Sequence, residues 1–364
     1  MMVQFSSSAS EKLPVDMAAL VYEGPRVMEM RGLPVPIPGA GEALIRVAYS
    51  GICGSELSGF MGESSIRQPP LVFGHEVSGH VVAIDRADAT DDTLAVGTAV
   101  TVNPLISCGQ CRYCLVGRQQ LCPRRLLLGA TLPGSNAGFV RVPAAAVLPI
   151  PAGMSLEQGA TVEPVAFALH AVELSGVRPA DSVLVVGAGA IGLLILQVLG
   201  EWGVRQRFVV ERNPTRLARA VALGCTPVQP GEHALAGLVR TATDGYGVEV
   251  AFDAVGSADT RRDCLASVAV GGNVVLVGLH SDRTELPLNT VVRSEINLVG
   301  AFAYSPTNFR TALNWIAAGR VGLSDGIVVA PLSEGQLWYE RLVAGDSAAK
   351  VLLQPHLASM GEPQ

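Results

Sequence analysis

Ser182-Val-Leu-Val-Val-Gly187-Ala-Gly189-Ala-Ile-Gly192-Leu-Leu-Ile-Leu-Gln-Val-Leu-Gly200 runs from a β-branched apolar stretch through three glycines into a second apolar stretch without one charge. Its length and hydropathy suit a membrane span. The glycines have a better reading, a strand turning tightly into a helix around a bound pyrophosphate. Gly187 permits the turn, Gly189 lets the backbone approach the phosphates, and Gly192 lets helix and strand pack closely. The helix start, with Ala190 and Ile191, then offers amide donors to the anion. A glycine-rich turn with no ligand is the alternative. Against it, Glu211 follows the next apolar stretch about twenty residues on, where a carboxylate accepts from both ribose hydroxyls of an adenosine. Its other reading is a solvated surface acid. A carboxylate there repels a 2′-phosphate, so NAD is expected over NADP, with Arg212 and Arg216 close enough to complicate the choice.

The same pattern continues outward. Strands at Ser182 to Val186, Phe208 to Glu211, Val248 to Asp253, Asn273 to Val277 and Asn297 to Ala301 are expected. They are separated by helices at Ile191 to Trp202, Pro214 to Leu223 and Thr260 to Ser267. Repeating β-α-β units make an α/β domain, a doubly wound parallel sheet over 164–302. Residues 17–163 read differently, as short strands broken by glycine and proline, such as Ala43 to Tyr49, Val77 to Ile84 and Ala99 to Val102. Lys350 to Gln354 looks like a strand with no partner nearby, so the tail, 303–364, is expected to return to this β-rich domain. The first sixteen residues read as a loose extension without the apolar segment of a signal peptide, consistent with a cytoplasmic protein.

The 364 residues are 49% hydrophobic and 16% charged, enough to bury cores in two domains. A net charge of −6 without a basic cluster speaks against nucleic acid or an anionic membrane as partner, which leaves a small molecule.

Four of the seven cysteines form the run Cys108-Gly-Gln-Cys111-Arg-Tyr-Cys114, closed by Cys122. Two-residue gaps let one loop wrap a tetrahedral zinc with four thiolates. An iron–sulfur cluster takes the same ligands and is the alternative. Two disulfides fit poorly in a long chain without a secretory leader. Cys53 in Gly51-Ile-Cys53-Gly-Ser55, the pair His75-Glu76 after Gly74, and Glu163 in Thr161-Val-Glu163-Pro164 could hold a second metal. Alone, each reads as readily as a core thiol, a hydrogen-bonded histidine or a solvated acid.

Together and in this order, these segments resemble the zinc-dependent medium-chain dehydrogenase/reductase family, from about Met17 to Val351. The segment Glu163-Pro-Val-Ala-Phe-Ala-Leu-His170 is most similar to the branch of sorbitol, threonine and butanediol dehydrogenases. The resemblance implies a discontinuous GroES-like catalytic domain beside the Rossmann domain, and hydride transfer between a secondary alcohol and NAD. That alcohol would be a polyol, sugar derivative, amino alcohol or diol. An NADPH-dependent ketone reductase of the same fold and a non-catalytic nucleotide-binding zinc protein are the alternatives. It implies two zinc ions per chain. Cys53 and His75 would bind the catalytic one, with Glu76 and Glu163 competing for the third protein position. Cys108, Cys111, Cys114 and Cys122 would hold a structural zinc in a lobe at about 104–124. Ser55 would start a proton relay, although the histidine that completes it in many relatives is replaced by Ser58. Val277, Gly278, Leu279, Ala301, Phe302 and Lys350 would face the cofactor, and paired Rossmann sheets would make a homodimer or homotetramer. Phe60, Met61, Arg67, Phe139 and Phe302 are candidate walls of the substrate pocket.

Overall fold

The computed structural model describes residues 4–5, 13–85, 94–229, 234–323 and 325–356, so most of the expected N-terminal extension lies outside the described residues. Two units emerge: Met1–Glu163 with Ser305–Gln364, and Pro164–Tyr304.

In the first unit, the alternation in Glu42–Gly51 turns Ala43, Ile45 and Val47 to one side, where they pack with Val77, Val81, Val100 and Val140. Its main sheet runs in the order Val147–Pro149, Ala99–Val102, Glu76–Ile84, Glu42–Gly51, Lys350–Gln354, Ile327–Pro331. Lys350–Gln354 pairs antiparallel with Glu42–Gly51, placing Leu352 opposite Gly51, and parallel with Ile327–Pro331. The C-terminal strand thus returns to the β-rich unit, three hundred residues from its neighbour in sequence. Helix Gly335–Val343 comes with it and buries Trp338 and Tyr339 against Phe60, Phe73 and Tyr22. Phe60 and Phe139 are core residues here, so neither forms a pocket wall; their rings are taken up by neighbouring aromatic and aliphatic side chains.

In the second unit, six strands form one parallel sheet in the order Thr226–Pro227, Gln206–Val210, Ser182–Val186, Val248–Asp253, Val268–Leu276, Asn297–Gly300. Ser182–Val186 lies between the second-formed and fourth-formed strands, so the order reverses at its carboxyl end. That is where doubly wound sheets bind ligands. The apparent membrane span divides into this strand and helix Ala190–Glu201. Among the described residues, no helix is long and apolar enough to cross a membrane. Helix Val162–Ser175 was not expected. Ala166, Ala168, Leu169 and Val172 are all buried, so no polar face marks its period.

Candidate active site

The strand Glu42–Gly51 delivers the chain to Cys53, which N-caps the short helix Gly54–Phe60. Gly51 sits opposite Glu76 in the sheet, and a Cβ on Gly51 would overlap the Glu76 carboxylate. Gly74, at φ +104°, then turns the chain so that His75 leads into the next strand, Glu76–Ile84, beside Cys53. One donor atom each of Cys53, His75 and Glu76 lies within 4.8 Å of the others.

The surroundings of these three side chains ask for a cation. Glu76 is fully buried; its Oε1 accepts from Lys350 Nζ at 2.7 Å, while Oε2 has no hydrogen-bond partner. His75 Nδ1 stands 2.7 Å from Glu56 Oε1, which leaves Nε2 for a ligand. Burial opposes a charged imidazolium, yet the Cys53 sulfur and the Glu56 carboxylate pull the His75 pKa well above its ordinary value. A thiolate, an imidazole and a carboxylate are zinc ligands, and three of them leave a position open.

Glu56 escaped the sequence reading. Three residues beyond Cys53 on the same helix, it is fully buried and accepts from Gly74 N at 3.1 Å and Tyr339 OH at 2.7 Å. Burial pushes its pKa up, but His75, Arg67 and Tyr339 together bring it below the usual carboxylate value. Its one sequence signal is an acid spaced three from a cysteine among otherwise uncharged residues. Ser55 Oγ donates to Cys53 Sγ at 3.4 Å and accepts from Arg67 at 3.1 Å. Arg67, expected on a pocket wall, is buried with its other nitrogens on the carbonyls of Gly129 and Ser55. Glu163, in the first turn of Val162–Ser175, stands outside the three-residue group and interacts electrostatically with Lys350. Lys350 itself, expected at the cofactor, donates to Glu76 and to the Ile52 carbonyl at 3.1 Å.

Cys108, Cys111, Cys114 and Cys122 form a second cluster. Sulfur separations of 3.5 Å for Cys111–Cys114 and 3.9 Å for Cys108–Cys114 bracket the ~3.8 Å between thiolates bound tetrahedrally at ~2.3 Å. A disulfide needs ~2.05 Å. The backbone amide of Gln110 draws Cys108 down to about 6, and that of Cys114 lowers Cys111, so both favour the thiolate that binds metal.

At the glycine turn, Gly187 has φ +98°, and a Cβ on Gly192 would overlap the Gly187 carbonyl. A Cβ on Gly189 would meet nothing within 4 Å, and this residue N-caps Ala190–Glu201 without a side-chain bond. Open space beside uncapped amides fits a pyrophosphate. Glu211 accepts from Ala188 N at 2.9 Å and Asn213 N at 2.8 Å, which holds its carboxylate at the edge of this turn. Arg212 is exposed and Arg216 half-buried on the helix that follows. Val277, Gly278 and Leu279 follow the strand Val268–Leu276, and Ala301 and Phe302 follow Asn297–Gly300, all at carboxyl ends of the sheet.

Two family models match the chain, the alcohol dehydrogenase GroES-like domain over residues 39–152 and the zinc-binding dehydrogenase over 190–318. Sorbitol dehydrogenase of Bacillus subtilis (strain 168) is 31% identical over 317 residues, 85% of this chain and 88% of that one. D-arabitol-phosphate dehydrogenase of Enterococcus avium is 31% identical over 349 residues, 93% and 97% of the two chains. Among solved structures, a zinc-binding dehydrogenase from Sinorhizobium meliloti 1021 bound to NADP superposes with a TM-score of 0.86 at 29% identity, covering 93% of this chain and 99% of that one. The chain therefore belongs to the zinc-type alcohol dehydrogenases of the medium-chain family, oxidoreductases that move a hydride between a secondary alcohol and NAD(P).

Proposed function

We propose that this enzyme oxidises a secondary hydroxyl of a polyol or sugar derivative with NAD, using Cys53, His75 and Glu76 to hold the catalytic zinc. The observation that carries the ligand set is the convergence of three donors within 4.8 Å around the buried, unpartnered Glu76 Oε2. Cys108, Cys111, Cys114 and Cys122 hold the structural zinc; four thiolates close its sphere and exclude a substrate. Bound at the first site, zinc supplies Lewis-acid polarisation of the substrate oxygen, and the dinucleotide takes the hydride.

The chain's own groups set the stage for that exchange. Glu56 Oε1, 2.7 Å from His75 Nδ1, favours a proton on that nitrogen and so leaves Nε2 to the metal. Lys350 holds one oxygen of Glu76 and leaves the other turned to the metal. Ser55 Oγ is fixed between Arg67 and Cys53 Sγ. A guanidinium has no lone pair with which to accept, so Arg67 orients the Ser55 hydroxyl and does not take a proton from it. Glu211 accepts from the adenosine ribose and disfavours a 2′-phosphate.

The sorbitol and D-arabitol-phosphate activities of the relatives favour polyols within this substrate class. Assembly as a homodimer or homotetramer is supported by the terminal sheet strand Asn297–Gly300, beside which Leu288, Val292 and Leu298 are exposed. The test is a panel of polyols, sugar phosphates, diols and amino alcohols, each with NAD and NADP, read by the near-ultraviolet absorbance of the reduced cofactor, with metal analysis alongside. Turnover of a polyol with NAD at two zinc per chain is expected. Turnover only from ketones with NADPH would replace this reading by the reductase one, which the NADP-bound neighbour keeps in view.

A further inference from the structure

Behind His75 a buried chain of hydrogen bonds runs away from the proposed metal site. Ser135 Oγ lies 2.7 Å from Ser50 Oγ, Ser50 Oγ donates to Asn136 Oδ1 at 2.7 Å, and Asn136 Nδ2 donates to Tyr339 OH at 3.1 Å. Tyr339 OH in turn donates to Glu56 Oε2 at 2.7 Å. Glu56, Ser50, Ser135, Asn136 and Tyr339 are each 0% exposed, so water does not compete for these bonds. The direction is settled by counting protons. Asn136 fills a lone pair of the phenol oxygen, and a phenol has a single proton, which is left for Glu56. With Oε2 held this way, Oε1 stands 2.7 Å from His75 Nδ1, a separation at which two lone pairs would repel, so in the neutral imidazole that binds metal the proton sits on Nδ1 and the lone pair on Nε2.

We propose that Tyr339 is a positioning residue for the catalytic metal, acting through Glu56 on the orientation and tautomer of His75. The inference rests on the reading that Cys53, His75 and Glu76 hold that metal. The competing role for Tyr339 is packing, since its ring lies 5.4 Å from Phe60 and 6.1 Å from Phe73 between centroids. Tyr339→Phe keeps the ring and removes the hydroxyl alone, which separates the two roles.

The test uses the full chain, with zinc retention followed against a graded chelator and with cobalt as a spectroscopic replacement for zinc. For Tyr339→Phe, zinc at the three-residue site should weaken about 10- to 100-fold, the usual range for loss of an outer-shell partner. The zinc of the four-cysteine site should be released as in the parent, and the ligand-field bands of cobalt at the weakened site should shift. In a Glu56→Gln background, Tyr339→Phe should add little, because the path runs through Glu56. Unchanged zinc retention and cobalt bands in Tyr339→Phe would overturn the proposal, whatever happens to Tm. So would an undiminished effect in the Glu56→Gln background. A parent that binds neither zinc nor cobalt at Cys53, His75 and Glu76 would overturn the metal reading, and this inference with it.

Discussion

Replacing Lys350 by methionine probes the site where its electrostatics are most exacting. The ammonium and the Glu76 carboxylate are 2.7 Å apart with side chains 4% and 1% exposed, so solvent screens the pair little. Burial lowers the Lys350 pKa, but Glu76 and Cys53 outweigh it and raise it, keeping the lysine charged. At that separation and an effective dielectric constant of ~20, the attraction is about 6 kcal/mol. Part of it only offsets desolvation, and removing one member of a buried pair typically costs about 3–5 kcal/mol. For a unit of this size that lowers Tm by roughly 6–20 °C. Zinc-stripped Lys350→Met, followed by scanning calorimetry, should show that loss in full. The zinc-loaded form should lose less, since a bound cation takes over part of the lysine's charge. Adding Glu76→Gln should recover most of the stability, because the stranded charge is gone. A loss below about 1 kcal/mol in the zinc-stripped protein would refute this account of Glu76 as a buried anion held by Lys350.

Three further outcomes test other parts of the molecule. Glu211→Ala should lower kcat/KM for NAD roughly 10- to 100-fold, the worth of hydrogen bonds to a charged acceptor, and shift the ratio toward NADP; an unchanged ratio would remove Glu211 from cofactor selection. Cys111→Ala should lose one of two zinc ions per chain and open the segment around 104–124 to proteolysis, and native zinc content with native protease resistance would dismiss the structural site. Cys264 is fully buried, and burial, with Asp253 and Asp263 adding to it, raises its thiol pKa well above 9.0. The unfolded thiol ionises near 9 and the folded one does not. The contribution is therefore intact below about pH 9 and is lost as pH rises toward the folded value, at up to about 1.4 kcal/mol per pH unit. Denaturant titrations of Cys264→Ala should show a flatter alkaline limb than the parent, and parallel limbs would count against it.

The legible parts of the chain were those with a local cause. Ser182–Val186 is a buried, almost wholly apolar strand and Val248–Asp253 is apolar but for Glu249 and its closing Asp253, and both end where the residues say they should. Gly187, Gly189 and Gly192 announce a backbone that must come close to something. Helix Val162–Ser175 was invisible because a helix buried on nearly every side has no stripe to read. Glu56 was illegible as a site residue for a different reason, and Arg67, expected on a pocket wall, is instead the buried partner of Ser55. An acid in Ser55-Glu56-Leu57 looks solvated until His75, Gly74 and Tyr339 are folded around it, and none of these contacts is implied by nearest neighbours in sequence. Lys350 was visible as the start of a strand, but the register that puts it beside Glu76 comes from pairing with a strand three hundred residues away.

That register gives the discontinuous first unit a chemical purpose. Helix Gly335–Val343 and strand Lys350–Gln354 close the sheet, and each also brings one donor to one buried carboxylate, Tyr339 to Glu56 and Lys350 to Glu76. With Cys53 as thiolate and His75 neutral, as metal ligation requires, Cys53, Glu56 and Glu76 set three negative charges against the positive ones of Lys350 and Arg67, one net negative charge among these five groups. A dication converts that to one net positive charge, small enough to be held in a buried place and large enough to favour a developing negative charge on a substrate oxygen. Without the C-terminal return, Glu56 and Glu76 would be buried with a donor missing from each, so docking of Gly335–Val343 and Lys350–Gln354 completes the metal site as well as the fold.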